Sequence, residues 1–129
     1  MKQIQQDIVQ AVRNRRSFTA GSASGSGYAI REGLTGHRDR LSWNKKRFTY
    51  ALWGHEIAKG DMFTQKIEIS TCGYDTPTTV SRLNAIFAGC DIPMSVVIRK
   101  KETVFLINGQ EVCPGPVRYF AGNWLVKIV

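Results

Sequence analysis

Residues 37–50, HRDRLSWNKKRFTY, set five cations, Arg38, Arg40, Lys45, Lys46 and Arg47, among the rings of His37, Trp43, Phe48 and Tyr50. Cations neutralise phosphates and flat rings stack on unpaired bases, so this composition suits a single-stranded nucleic acid. It also suits a lysine-rich loop running into a strand. The five cations are the expected phosphate contacts. Trp43, with Phe48 or Tyr50, is the expected stacking surface. Trp43 has the stronger claim, because Phe48 and Tyr50 fall on a strand face that serves a core equally well. Arg13, Arg15 and Arg16, at the end of a helical pattern, and Arg82, near the start of another, join them as candidate contacts.

Bond-making chemistry finds less support. His55 and Glu56 are adjacent, and neighbours on a strand point to opposite faces, so the pair is poorly placed for acid–base work. A nuclease metal site needs clustered acids, whereas the ten Asp and Glu here are scattered singly. Ser42 and Lys45 match S-x-x-K without the companion motifs of that chemistry. The small-residue stretch at 17–27 has no GK[ST] and puts Ala23 where a nucleophile elbow needs serine. Cys72, Cys90 and Cys113 form no CxxC pair and stand at no zinc-finger spacing from His37 or His55. No catalytic residue, metal or cofactor is expected, and the thiols read as reduced.

At 129 residues the chain is the size of one domain, with a formal net charge of +8. That charge is uneven: residues 1–50 hold ten Lys and Arg against three acids, and residues 51–129 hold eight against seven. A basic first part fits one surface meeting a polyanion. No apolar run approaches the ~20 residues of a membrane span, and the first residues lack a signal peptide's apolar segment. A cytosolic protein is expected.

Around these residues the spacing predicts an α+β fold: a single domain, residues 1–129, with a twisted antiparallel sheet and two helices packed on one face. Ile4, Ile8, Ala11 and Val12 make an apolar stripe over residues 2–13. Residues 17–27 read as a flexible Gly/Ser loop, 28–31 as a short strand and 33–44 as irregular. Residues 46–58 read as one strand. It turns at 59–62 into an antiparallel partner at 63–71. Thr76 and Pro77 open a second helix that Gly89 ends. Strands then follow at 94–98, 103–107, 110–112, 117–120 and 124–129, with Asn108-Gly109 as a type I′ turn. Thr78, Thr79, Ser81 and Arg82 crowd the second helix's N-terminus. They read either as a phosphate seat or as extra capping beside an arginine on a solvated face.

Tyr50, Trp53, Gly54, Ile57 and Ala58, then Tyr74, Thr78, Thr79, Ser81, Arg82 and Asn84, resemble the pattern of a group of small tailed-phage proteins of unassigned function. The resemblance covers about residues 48–87. It departs where Val80 separates the threonines from Ser81 and where Leu83 stands at a position often His. It implies a phage-encoded protein in the cytoplasm of an infected bacterium, and no chemistry. Three functions fit the residues. The first is single-stranded DNA or RNA binding in phage replication or transcription, with DNA preferred. The others are inhibition of a host protein through the basic surface, and a homo-oligomeric subunit of a phage assembly. Duplex readers are disfavoured, since there is no helix-turn-helix pair, finger or basic zipper.

Overall fold

The computed structural model describes residues 2–21 and 37–129. Helix α1 (Gln3–Arg13) is followed by strands β1 (Phe18–Ala20), β2 (Asp39–Asn44), β3 (Arg47–Leu52), β4 (His55–Asp61) and β5 (Lys66–Ile69). Helix α2 (Pro77–Cys90) leads to β6 (Met94–Arg99), β7 (Glu102–Ile107), β8 (Gln110–Val112), β9 (Arg118–Ala121) and β10 (Trp124–Ile128). The fold is α+β and mostly strand. Among the described residues, the expected single antiparallel sheet is instead two sheets, a seven-stranded one ordered β1-β2-β3-β4-β5-β10-β9 and a three-stranded meander β6-β7-β8. The pairs among the described residues are antiparallel except β5 with β10. A parallel pair needs a long crossover, and α2 with the meander supplies it.

Both helices form where their spacing predicts. In α1, Ile8, Val9, Ala11 and Val12 are buried. In α2, Thr76 is the N-cap, its Oγ1 accepting from the Thr79 N–H at 3.3 Å, and Pro77 follows at the first helical position. The two helices pack on each other at Gly89, where an added Cβ would lie 2.8 Å from the Val12 Cβ. Gly89 is therefore a contact point inside α2, and the helix ends at Asp91 in a left-handed conformation, φ 55°. Asn84 completes the other side of the helix. Its amide donates to the Val96 carbonyl at 2.9 Å and accepts from the Val96 N–H at 2.8 Å. Those two bonds satisfy the outward backbone groups of Val96 on β6, an edge strand, and so cover part of an edge open to pairing.

Several local expectations are corrected. Within the expected loop at 17–27, Phe18–Ala20 is a strand paired with β2, and residues 22–27 lie outside the described residues, as do the expected strand at 28–31 and residues 33–36 of the irregular stretch. Residues 39–44 are strand, paired in register with β3. The expected single strand at 46–58 is two strands joined by a Trp53-Gly54 turn, both residues at positive φ, 49° and 80°. Tryptophan rarely adopts that conformation, so composition gives no warning of the turn. The next turn lies at 62–65, three residues later than spacing predicts, and β4 carries a bulge. Tyr50 pairs with Ala58 and Ala51 with Glu56, leaving Ile57 as the extra residue. Ile57 and Ala58 are consequently both buried, which breaks the period-two pattern.

Gly60, expected in a turn, stands inside β4 directly opposite Phe48. The Phe48 ring takes the space a side chain would need: a Cβ at this position would meet Phe48 Cε1 at 2.3 Å and Cζ at 2.5 Å. The missing side chain is what lets a large ring pack against the strand backbone. Gly60→Ala should destabilise the protein by about 1–3 kcal/mol through overpacking, read as a lower urea midpoint at unchanged slope.

Candidate nucleic-acid interface

The basic-aromatic run is a β-hairpin, β2 and β3 joined at Lys45-Lys46, and its pairing separates the two ingredients that the sequence mixes. Alternation sends Asp39 and Leu41 of β2 and Phe48, Tyr50 and Leu52 of β3 into the core, where all are buried. Trp43 follows them, partly buried, its ring 5.1 Å from that of Phe48. Arg40, Ser42 and Asn44 of β2 and Arg47, Thr49 and Ala51 of β3 take the opposite face. Rings point in and cations point out. Phe48 and Tyr50 therefore cannot stack on a base.

The outward face continues across the large sheet in rows that the register defines. One row runs Asn44, Arg47, Asp61, Lys66, Leu125, Phe120; the next runs Ser42, Thr49, Lys59, Glu68, Lys127, Arg118. A third begins Thr19, Arg40, Ala51, Glu56. Among the described residues, six cations thus share the face with three carboxylates, and residues of the first two rows line a shallow depression of about 410 Å³. Two cations are paired, Arg47 with Asp61 at 3.2 Å and Lys59 with Glu56 at 3.0 Å. Both pairs are solvent-exposed and therefore weak. Arg40, Lys66, Arg118 and Lys127 form no ion pair with a described residue. Lys59, Lys66, Arg118 and Lys127 do not stand out as a basic cluster in the sequence, because the charge of the second part of the chain sums to nearly zero. Period-two spacing marks Lys66 within residues 63–71 and Lys127 within 124–129 as outward-facing, whereas Lys59 and Arg118 join the face only through the strand pairing.

Arg82 and Tyr50 belong to a buried network instead. Asp39 is fully buried and accepts hydrogen bonds from Arg82 Nε at 2.7 Å, Tyr50 Oη at 2.7 Å and Arg38 Nε at 2.6 Å. Burial alone would raise the carboxyl's pKa, but the bonds from Arg82, Arg38 and Tyr50 outweigh it and hold Asp39 below the usual carboxylate range. Burial, and then the Asp39 charge, push the Tyr50 phenol upward, so it stays a donor. Neither reading of the N-terminus of α2, phosphate seat or capping beside a solvated arginine, matches the position of Arg82, which faces Asp39 rather than solvent, while Thr79 is buried and the Ser81 hydroxyl donates to the Thr78 carbonyl.

The remaining expected contacts are dispersed. Arg13 is exposed and reaches the Ala88 carbonyl at 3.4 Å and Asp91 at 3.5 Å, so it closes the helix–helix contact. Arg15 and Arg16 are exposed just after α1. Lys45 and Lys46 are exposed in the hairpin turn. His55 meets the Tyr74 ring at a centroid distance of 5.1 Å, while Glu56 turns to Lys59. Burial pushes the Cys90 thiol up to about 12, which leaves it unreactive at neutral pH. Among the described residues no group of three or more His, Cys, Asp or Glu is placed to hold a metal ion, and no helix is long and apolar enough to cross a membrane.

Asp39→Asn removes the charge but leaves Arg82 buried, so it should cost about 3–5 kcal/mol. The sign with pH follows from the lowered carboxyl. The stability that Asp39 confers is complete above its unfolded value of ~3.9 and is lost as pH falls through the folded value. Urea denaturation at pH 7 and pH 3 should show the variant's deficit shrinking at the lower pH.

A family model described as Kyanoviridae Gp96 protein matches residues 1–126, which extends the phage resemblance of residues 48–87 to nearly the whole chain. No curated protein and no solved structure matches it. With all but the last three residues inside that match, the chain belongs to the Kyanoviridae Gp96 family of phage proteins.

Proposed function

We propose that this protein binds nucleic acid, single strands in preference to duplex, through the outward face of its large sheet. The observation that carries the proposal is the surplus of cations on that one face, drawn from strands distant in sequence: Arg40, Arg47, Lys59, Lys66, Arg118 and Lys127. Phosphates at regular spacing along a strand need cations at regular spacing. Neighbouring β-strands offer a repeat of about 4.8 Å, which a flexible single strand can follow more closely than a rigid duplex can. A sheet face with cations for the backbone is a known way to hold single strands, as in RNA-recognition and oligonucleotide-binding folds. That parallel concerns the physics of the surface and implies no common ancestry.

The test is fluorescence anisotropy of a labelled ~20-nucleotide single strand, titrated at several salt concentrations beside a duplex of the same sequence. Binding should saturate, favour the single strand and weaken linearly on a log–log salt plot. Lys66→Gln and Lys127→Gln should each lower the slope by about 0.7, the value of one phosphate contact to a single strand. Lys100→Gln, in the exposed turn between β6 and β7, should leave the slope unchanged. Equal effects from all three substitutions would make the charge a generic one and overturn the proposal. Loss of binding to an acidic protein but not to DNA or RNA would favour the host-protein alternative.

A further inference from the structure

With Phe48 and Tyr50 in the core, the basic surface needs another ring if it is to hold bases, and the turn after β4 provides one. We infer that Phe63 is the base-stacking residue of this surface, set among Lys45, Lys46 and Arg47 to receive an unpaired nucleobase; the inference rests on the nucleic-acid reading above. Phe63 is 75% exposed. Exposure alone means little for a single apolar residue; what distinguishes this one is how firmly its backbone is held.

Asp61 Oδ1 accepts from the backbone N–H of Phe63 at 2.9 Å and of Thr64 at 3.2 Å, closing the turn around the ring. The other oxygen of Asp61 accepts from Arg47 Nε at 3.2 Å. The backbone N–H of Met62 donates to the Lys46 carbonyl at 2.9 Å, tying this turn to the tip of the β2–β3 hairpin. The bonds from Arg47 and to Lys46 bring together residues fourteen and sixteen positions apart in the chain. The Asp61 carboxyl is held below its usual range by the Thr64 and Phe63 N–H groups and by Arg47, so the clasp stays charged at neutral pH.

Across this junction the Lys46 ammonium sits 4.9 Å from the centre of the Phe63 ring. The residues Asn44, Lys45, Lys46, Arg47, Asp61 and Phe63 line a depression of about 510 Å³. A ring carried on a backbone already held in place needs little further ordering of the turn when a base settles on it. Lysines and an arginine beside it meet the flanking phosphates, and every base offers a face to stack. The ligand class is therefore a single-stranded nucleic acid without strong sequence preference. A duplex, whose bases are already stacked, gains nothing from the ring.

The experiment compares the full-length protein with Phe63→Ala and Phe63→Trp, using the same labelled single strand and duplex. Because Phe63 lies outside the core, both variants should keep the parent's urea midpoint. Phe63→Ala should weaken single-strand binding by roughly 5- to 150-fold, with the salt slope and the duplex affinity unchanged. Phe63→Trp should bind at least as tightly as the parent. Single-strand affinity within twofold of the parent in Phe63→Ala would overturn the stacking role and leave phosphate tracking standing. An equal loss on single strand and duplex would also overturn it, since a stacking ring discriminates between them. A parent protein that shows no salt-dependent binding at all would remove the underlying reading with it.

Discussion

The fully buried carboxylate of Asp39 is the constraint from which much of the structure follows. An isolated charge in a core costs several kcal/mol, and the cost is met only if partners reach it with good geometry. Here they come from three places: Arg82 from α2, Tyr50 from β3 and Arg38 from the residue just before β2. The network therefore fixes the distance between α2 and the large sheet and the position of β2 along β3. It also fixes which side of β2 faces inward. A slip of one residue would place Arg40 in the core and Asp39 in water, reversing every side chain on the strand.

That choice of face decides what the surface can do. Once β2 and β3 commit Leu41, Phe48, Tyr50 and Leu52 to the interior, their cations have no place but outside, where β4, β5, β10 and β9 add more. Gly60 belongs to the same arrangement, since its bare backbone makes room for the Phe48 ring. A run that looks in sequence like rings and charges intermingled is, once paired, a sheet with an apolar face and a basic face. The motif that resembles phage proteins is explained on the same terms. Tyr50 and Arg82 hold Asp39, Asn84 completes the β6 edge, and Trp53 and Gly54 turn the chain between β3 and β4. Each supports the fold.

Much of the fold is legible in the sequence wherever local periodicity and end signals agree. The stripe of α1, the Thr76-Pro77 start of α2 and the Asn108-Gly109 turn all sit where spacing predicts. What periodicity does not carry is long-range pairing. Nothing near residues 66–69 announces a parallel partner at 125–128, and nothing in a two-residue Trp53-Gly54 step announces a turn in a left-handed conformation. The bulge at Ile57 hides the strand's alternation. The candidate surface was half legible: Arg40, Lys45, Lys46 and Arg47 are exposed as their local sequence suggests. The roles of Tyr50 and Arg82 were not, because a buried ion pair between residues 43 positions apart leaves no local trace. Phe63 escaped for the converse reason. On a strand pattern its alternation with Ile67 and Ile69 makes it core, and only the turn at 62–65 turns it outward.

The central claim is that the outward face of the large sheet is the face that meets a nucleic acid. The most direct measurement is a set of amide nitrogen–proton NMR spectra recorded as an unlabelled single-stranded oligonucleotide is added. The account predicts that shifts concentrate on the strands of the basic face, at Arg47, Thr49, Lys59, Lys66 and Lys127, and on the turn at Phe63 and Thr64. The amides of α1 and of β6 and β7 should stay in place. Shifts centred on α1 around Arg13, Arg15 and Arg16, or on the three-stranded meander, would contradict it.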